Sequence, residues 1–507
     1  MSPKTSLIFG PPGTGKTTAL IGIVSALLAE NVPAERICYV GFTRRSAKEA
    51  RDRAAEKFNL SPEELINFRT LHSMAFHMQG LNSSQVMNLR DYVAICNALG
   101  LSMTLRQVNE DGTFAGQTKG DRLMFAEMMS RSRMIPLKEY WESIPDEDIY
   151  YYELLQLHET LAQYKLDRDK RDFTDVIHDY VHKAHRIPDC DVLIVDEAQD
   201  LTPLQWLMVD KLSNKIGETH VAGDDDQAIF RWAGADVEHI IKMPGSRRVL
   251  DKSYRVPRAV QALAIEVSAR ISNRVPKEWA PRDAEGVVER VNSLDEVDMG
   301  QGSWLLLARN AYLLESYVDH CLRDGLIFEA KGIESLINGE GFEAIKIWEA
   351  LRKGYQIYAA QARALYNYMG TKTSVAYGFM GKINDLPEKT LLGIRDLQER
   401  HGLLRRVEEP WDVALDKLSR PEREYFLAAI RRGESLEAKS RIRISTIHGA
   451  KGAEADNVVL QLDMAERTFR EFEKLPDDEH RCWYVGITRA RERLILISPM
   501  TNRSYDI

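Results

Sequence analysis

Residues 6–18 read Ser6-Leu7-Ile8-Phe9-Gly10-Pro11-Pro12-Gly13-Thr14-Gly15-Lys16-Thr17-Thr18. A short apolar run breaks into a loop of glycines and prolines, and a helix-compatible stretch, 17–29, follows at once. A buried strand, a glycine-rich turn and a helix start, in that order, make a cradle for phosphate. Glycines let backbone N–H groups close around phosphate oxygens, and the helix N-terminus adds its partial positive charge. Gly10, Pro11, Pro12, Gly13, Thr14, Gly15, Lys16, Thr17 and Thr18 are therefore candidate nucleotide contacts. In such a cradle Lys16 reaches the β- and γ-phosphates, and the Thr17 hydroxyl ligates Mg²⁺.

Further apolar runs lie at 37–40, 192–195, 220–222, 304–308, 457–462 and 494–497, each ending abruptly in polar or glycine-rich residues. Unbroken rather than alternating apolar character is the mark of strands buried on both faces, as in parallel sheets. Helical stretches such as 46–58 separate them, which predicts an α/β fold. The runs fall into two groups, before and after about residue 243, and two mainly helical segments interrupt them. The expected organisation is a first α/β domain from 1–80 and 173–243, with a helical insertion at 81–172. A second α/β domain spans 244–335 and 437–507, with a smaller helical insertion at 336–436.

Residues just past the carboxyl ends of parallel strands are where open α/β sheets bind ligands. Asp196-Glu197-Ala198-Gln199-Asp200 follows the 192–195 run. Asp196 is placed to hold Mg²⁺ and Glu197 to orient or deprotonate an attacking water. Gly223-Asp224-Asp225-Asp226-Gln227 follows the run at 220–222, and Gln227 is a candidate sensor of the γ-phosphate.

The 507 residues exceed what one hydrophobic core usually supports. With 44% hydrophobic and 28% charged residues the composition is that of an ordinary globular protein. A net charge of −8 excludes binding to nucleic acid through bulk positive charge, so any such contact rests on particular residues. The five cysteines are scattered, which fits a reducing compartment and gives no disulfide or zinc pattern. No apolar run approaches the roughly 20 residues that span a bilayer, so the expected location is cytoplasmic.

These pieces, in this order, resemble superfamily 1 helicases of the UvrD/Rep/PcrA type, across both α/β cores. Four later stretches carry the resemblance: 223–232 (GDDDQAIFRW), 250–255 (LDKSYR), 445–454 (STIHGAKGAE) and 484–490 (YVGITRA) look like the family's third to sixth motifs. The resemblance implies two tandem RecA-like domains with ATP between them. It implies that Arg255 and Arg489 come from the second domain to the γ-phosphate, as arginine fingers that stabilise transition-state charge. Tyr254 is similar to the family residue that stacks on adenine, and Glu454 to one near the ribose. Phe42-Thr43-Arg44 and the segment around His72 look like strand-contacting motifs, and Phe230 and Trp232 resemble base-stacking aromatics. Arg309, Thr446 and His448 are further candidates for nucleic-acid contacts. The implied activity is an ATP- and Mg²⁺-dependent DNA helicase moving 3′ to 5′ on single strands and acting at junctions with duplex.

The chain departs from the family pattern in places. No glutamine precedes Gly10, where the family carries an adenine-reading glutamine, and Ala233 stands where an arginine is usual. Arg352, Lys353, Tyr355, Tyr358, Arg363, Tyr366 and Tyr368 interleave bases with aromatics, and the expectation is a helix with its tyrosines turned inward rather than a duplex-binding face. Lys119, Arg122, Arg131 and Arg133 in the first insertion fit a duplex-binding face and a solvated one equally. A DNA-stimulated remodelling ATPase that never separates strands is the competing function. A ring-forming ATPase leaves the motifs beyond 440 unexplained. The sequence ends at Ile507, soon after the sixth motif, so a fused nuclease is not expected.

Overall fold

The computed structural model describes residues 4–104, 118–144, 148–330, 339–434 and 440–507. The chain forms two compact units, Met1–Glu285 with Glu471–Thr488, and Gly286–Arg470 with Arg489–Ile507.

The first unit is built on β1 (Lys4–Phe9), β2 (Ile37–Gly41), β3 (Phe68–Thr70), β4 (Val192–Val195), β5 (Glu218–Gly223) and β6 (Ser246–Val249). They lie in the order β3-β2-β4-β5-β1-β6 with every pairing parallel. β2 and β4 are buried along their whole length, as unbroken apolar runs require. Helices Lys16–Ala29, Arg44–Phe58 and Pro203–Ser213 connect the strands and cover the sheet. Local chemistry fixes their starts: Thr43 and Thr202 accept from the backbone N–H groups of Ser46 and Gln205, and each partner side chain returns the bond. Helices Leu89–Ala98, Lys119–Ser132, Leu137–Ser143 and Tyr151–Asp167 form the first insertion around a separate apolar core that includes Tyr92, Leu123, Leu154 and Leu157.

The second unit holds β7 (Val287–Val291), β8 (Trp304–Ala308), β9 (Phe328–Ala330), β12 (Ile442–Thr446), β13 (Ala455–Gln461) and β14 (Ala490–Ile497), in the order β7-β14-β13-β8-β12-β9 and again all parallel. A two-stranded antiparallel ribbon, β10 (Ile357–Tyr358) and β11 (Leu391–Leu392), lies in the insertion of this unit, with helices packed on Trp348, Leu365, Tyr366 and Phe426. The protein is thus an α/β protein of two parallel six-stranded sheets, each with a helical insertion. Among the described residues no helix is long and apolar enough to cross a membrane.

The unit boundaries differ from those read in the sequence. Residues 246–249 pair with β1 and so extend the first sheet, carrying 250–285 with them. Helix Pro476–Ile487 also packs in the first unit, where Arg481 donates to the Asp225 and Asn273 carbonyls. The expected boundaries at 335/336 and 436/437 lie outside the described residues.

The basic residues of the first insertion are not a free solvated face. Arg131 pairs with Glu127, Asp172 and Asp175 at 2.8, 2.6 and 3.0 Å. Lys119 pairs with Glu153 at 2.6 Å, and Arg133 donates to the Arg231 carbonyl at 2.6 Å. In the second insertion the tyrosines divide: Tyr366 is buried and donates to the His401 carbonyl, whereas Tyr355 and Tyr358 are exposed.

Candidate nucleotide and nucleic-acid sites

β4, β5 and β1 are neighbours in the first sheet, so their carboxyl ends present three loops side by side. The Gly10 N–H donates to the Gly223 carbonyl at 3.0 Å, which joins the loop after β1 to the end of β5. Gly13 and Gly15 have φ of 73° and 79°, a region L side chains rarely adopt, and a Cβ at Gly13 would meet the Arg255 Cβ at 2.4 Å. Helix Lys16–Ala29 starts at Gly15 with no side-chain cap, so its first N–H groups face the loop. Lys16 Nζ donates to the Gly10 carbonyl at 2.9 Å.

Thr17 Oγ1 lies 3.3 Å from Asp196 Oδ2, and the Tyr39 hydroxyl donates to the same oxygen at 2.8 Å. Asp196 is 2% exposed; burial and the neighbouring charge of Glu197 push its carboxyl up to about 6. Glu197 has φ 55°, the left-handed region, which for a non-glycine residue is held by its surroundings at a cost. A hydroxyl beside a buried carboxylate is a hard-oxygen donor set of the kind Mg²⁺ takes. Tyr39 and Gln199 are contacts that sequence reading missed, because nothing local marks them.

A larger omission is Lys277. Its side chain is 0% exposed and its ammonium lies 3.2, 2.5 and 3.0 Å from carboxylate oxygens of Asp224, Asp225 and Asp226. Burial pulls the ammonium down, but the three carboxylates outweigh it and hold it above its usual range. Arg274 adds two bonds to Asp226, and the Val275 N–H donates to Asp225. Gln227 Nε2 in turn donates to Asp224 Oδ2 at 2.6 Å. The acidic turn is thus a buried scaffold, its three carboxylates held by two cations.

The segment leaving β6 crosses the phosphate loop within the same unit. Ser253 Oγ donates to the Pro12 carbonyl at 2.7 Å, and the Tyr254 N–H to the Gly13 carbonyl at 2.8 Å. Arg255 therefore belongs to the unit that carries the loop, not to the second one, because β6 is an edge strand of the first sheet. The Tyr254 ring is 72% exposed, open to a stacking partner.

On the same unit Phe42, Thr43, Arg44 and His72 line a cleft of about 970 Å³ that also takes in Lys48, Arg51 and Arg69. Arg69 is held below its usual range by burial and by the charge of Arg51, as expected where cations converge. Phe230 stacks on Phe42 at 6.1 Å. Trp232 stacks on Phe125 at 6.4 Å and stays 48% exposed. In the second unit Arg309 follows β8 and Thr446 closes β12 opposite Ala308, where the Ile447 N–H donates to the Ala308 carbonyl. Thr446 Oγ1 accepts the Gly449 N–H, which fixes the turn carrying His448. Arg489 is 1% exposed and donates to the Ala453 carbonyl at 3.4 Å, and Glu454 pairs with Arg491.

The comparisons with known proteins bear on this arrangement. Residues 2–246 match the UvrD/REP helicase N-terminal domain and residues 403–500 the UvrD-like helicase C-terminal domain, together more than half of the chain. The chain is 24% identical over 298 residues to ATP-dependent DNA helicase PcrA of Bacillus subtilis, covering 55% of this chain and 40% of that protein. For ATP-dependent DNA helicase PcrA of Staphylococcus aureus the identity is 26% over 286 residues, covering 54% and 39%. The chain therefore spans about two fifths of the PcrA relatives' length. A longer match, 24% identical over 617 residues, takes in 98% of this chain and 82% of DNA helicase II of Haemophilus influenzae. The chain belongs to the UvrD/Rep helicase family.

Proposed function

We propose that this protein is an ATP-dependent DNA helicase that translocates 3′ to 5′ on single-stranded DNA and separates duplex ahead of it. The observation that carries the proposal is the meeting of Lys16, Thr17, Asp196, Glu197 and Gln227 at the ends of three adjacent strands. Lys16 and the N–H groups of 13–17 hold the triphosphate, Glu197 takes the proton of the attacking water, and Gln227 reads the γ-phosphate. Thr17 and Asp196 hold Mg²⁺, which when bound neutralises charge on the phosphates. Arg255, against the phosphate loop, stabilises charge on the transferring group. Tyr254 stacks on the base, and by the family resemblance Arg489 and Glu454 are further nucleotide contacts.

The aromatic pair Phe230 and Trp232 follows Gln227 by a few residues, so a change at the γ-phosphate is transmitted directly to the grip on a base. Phe42, Thr43, Arg44 and His72 contact the strand on the first unit, and Arg309, Thr446 and His448 on the second. Strand separation of duplexes carrying a 3′ or a 5′ single-stranded tail, with ATP and Mg²⁺, tests the proposal. Opening of the 3′-tailed substrate alone is expected. Opening of the 5′-tailed one overturns the polarity. ATP hydrolysis stimulated by single strands without any opening makes the protein a translocase or remodelling ATPase.

A further inference from the structure

Gln199 sits in the turn after β4 with no surface exposure. Its Nε2 donates to Glu197 Oε2 at 2.6 Å and to Asp200 Oδ2 at 3.1 Å, and its Oε1 accepts the Asp224 N–H at 3.0 Å. One planar amide thus spans the ends of β4 and β5. On the far side, the Asp224 carboxylate accepts from Gln227 Nε2 and Lys277. The fit is close: a Cβ at Gly223 would fall 2.7 Å from Gln199 Oε1, so that position has to stay glycine for the amide to remain in place.

On the reading that Glu197 is the general base and Gln227 the γ-phosphate sensor, we infer that Gln199 is the positioning residue that couples them. A pull on Gln227 acts on Asp224, and the Asp224 N–H is fastened to the amide that orients Glu197. The amide is buried, planar and bonded at both ends, so it cannot shift at one end and keep its bonds at the other without leaving a polar group unpaired. The left-handed backbone of Glu197 fits this arrangement, since such a conformation persists only where neighbours enforce it. Gln199 touches no reacting atom; it acts through Glu197 and Asp224.

The test compares the full chain with Gln199→Met, which keeps the volume and removes the amide. Three quantities are measured: single-stranded-DNA-stimulated ATP hydrolysis, the stoichiometry of binding a non-hydrolysable ATP analogue, and the affinity for oligo-dT with and without that analogue. The expected result is a fall in kcat of about tenfold or more, with the KM for ATP changed by less than about threefold and full analogue stoichiometry. The effect of the analogue on oligo-dT affinity, present in the parent, is lost. If Gln199→Met does not fold, Gln199→Glu decides, because it retains the acceptor for the Asp224 N–H while a carboxylate oxygen replaces the donor to Glu197 and Asp200. A folded variant that keeps kcat within about twofold overturns the inference alone. So does a fall in kcat matched by a fall in analogue stoichiometry, which marks a merely structural role. Absence of DNA-stimulated hydrolysis in the parent removes the reading of the site, and the inference with it.

Discussion

The two sheets have the same strand number and the same all-parallel pairing, yet the loops at their carboxyl ends carry different chemistry. The first sheet ends in glycines, a lysine and carboxylates: Lys16, buried Asp196 and Asp224, and half-buried Glu197. The second ends in Arg309, Thr446 and His448, and its buried carboxylate is spent on its own chain. Asp463 accepts from the Met500 N–H and from the N–H and hydroxyl of Thr501, while Asn310 ties Ala465 and Thr468. One architecture thus carries two kinds of loop chemistry, set by the loops rather than the layers.

Four experiments break or sharpen this contrast. Lys16→Ala and Glu197→Gln are each expected to lower ATP hydrolysis by about 100-fold or more, read as phosphate release with single-stranded DNA present. Substantial turnover in either variant removes the first sheet's claim to the chemistry. Trp232→Ala is expected to weaken binding to single strands by about 1–3 kcal/mol, about 5- to 150-fold in Kd by fluorescence anisotropy. Unaltered affinity would return Trp232 to a packing role beside Phe125. Arg309→Ala is expected to act more gently, lowering the slope of log Kd against log salt by about 1, as loss of one phosphate contact does. A smaller effect tests the Asp196 carboxyl, whose folded value of about 6 stands above its ordinary 3.8. The fold therefore favours its neutral form, so the cost of burying the charge is absent below about pH 4 and fully present above about pH 6. Asp196→Asn removes that cost. It should raise the Tm of the nucleotide-free protein by a few degrees at pH 7 and by less at pH 5, and an equal or negative shift at both contradicts the assignment.

Legibility in the sequence followed burial. The runs at 192–195 and 304–308 coincide with β4 and β8, which are buried at every residue, and 17–29 falls one residue short of helix Lys16–Ala29. The strands that left no run are short or half-exposed: β3 (FRT), β6 (SRRV), β7 (VVERV) and β9 (FEA), together with β12, whose IRIST alternates. An edge strand needs apolar residues on one face at most, so composition does not mark it. Missing β6 is what displaced the boundary at 243, whereas the placing of Arg255 in the second domain came from the family resemblance. In the site, residues with a local signature were readable: the glycine loop, and acidic residues just past a buried strand. Lys277, Arg274 and Gln199 were not, because their meaning lies in partners that the fold supplies, some 50 residues away for the two cations.

The division of the chain has a consequence for its synthesis. The polypeptide leaves the first unit after Glu285 and returns to it at Glu471, to supply the helix whose Arg481 and Trp483 are buried there. A ribosome adding about 5–20 residues each second needs on the order of 10–40 s to cover that gap. Throughout that interval the nascent first unit waits with part of its interior uncovered, including the Asp225 carbonyl that Arg481 will engage. The second unit's strands β7, β8, β9, β12 and β13 emerge from the ribosome meanwhile. The first unit to begin is thus unable to finish before most of the second has been made, and a truncation near residue 285 would trap it in that unfinished state.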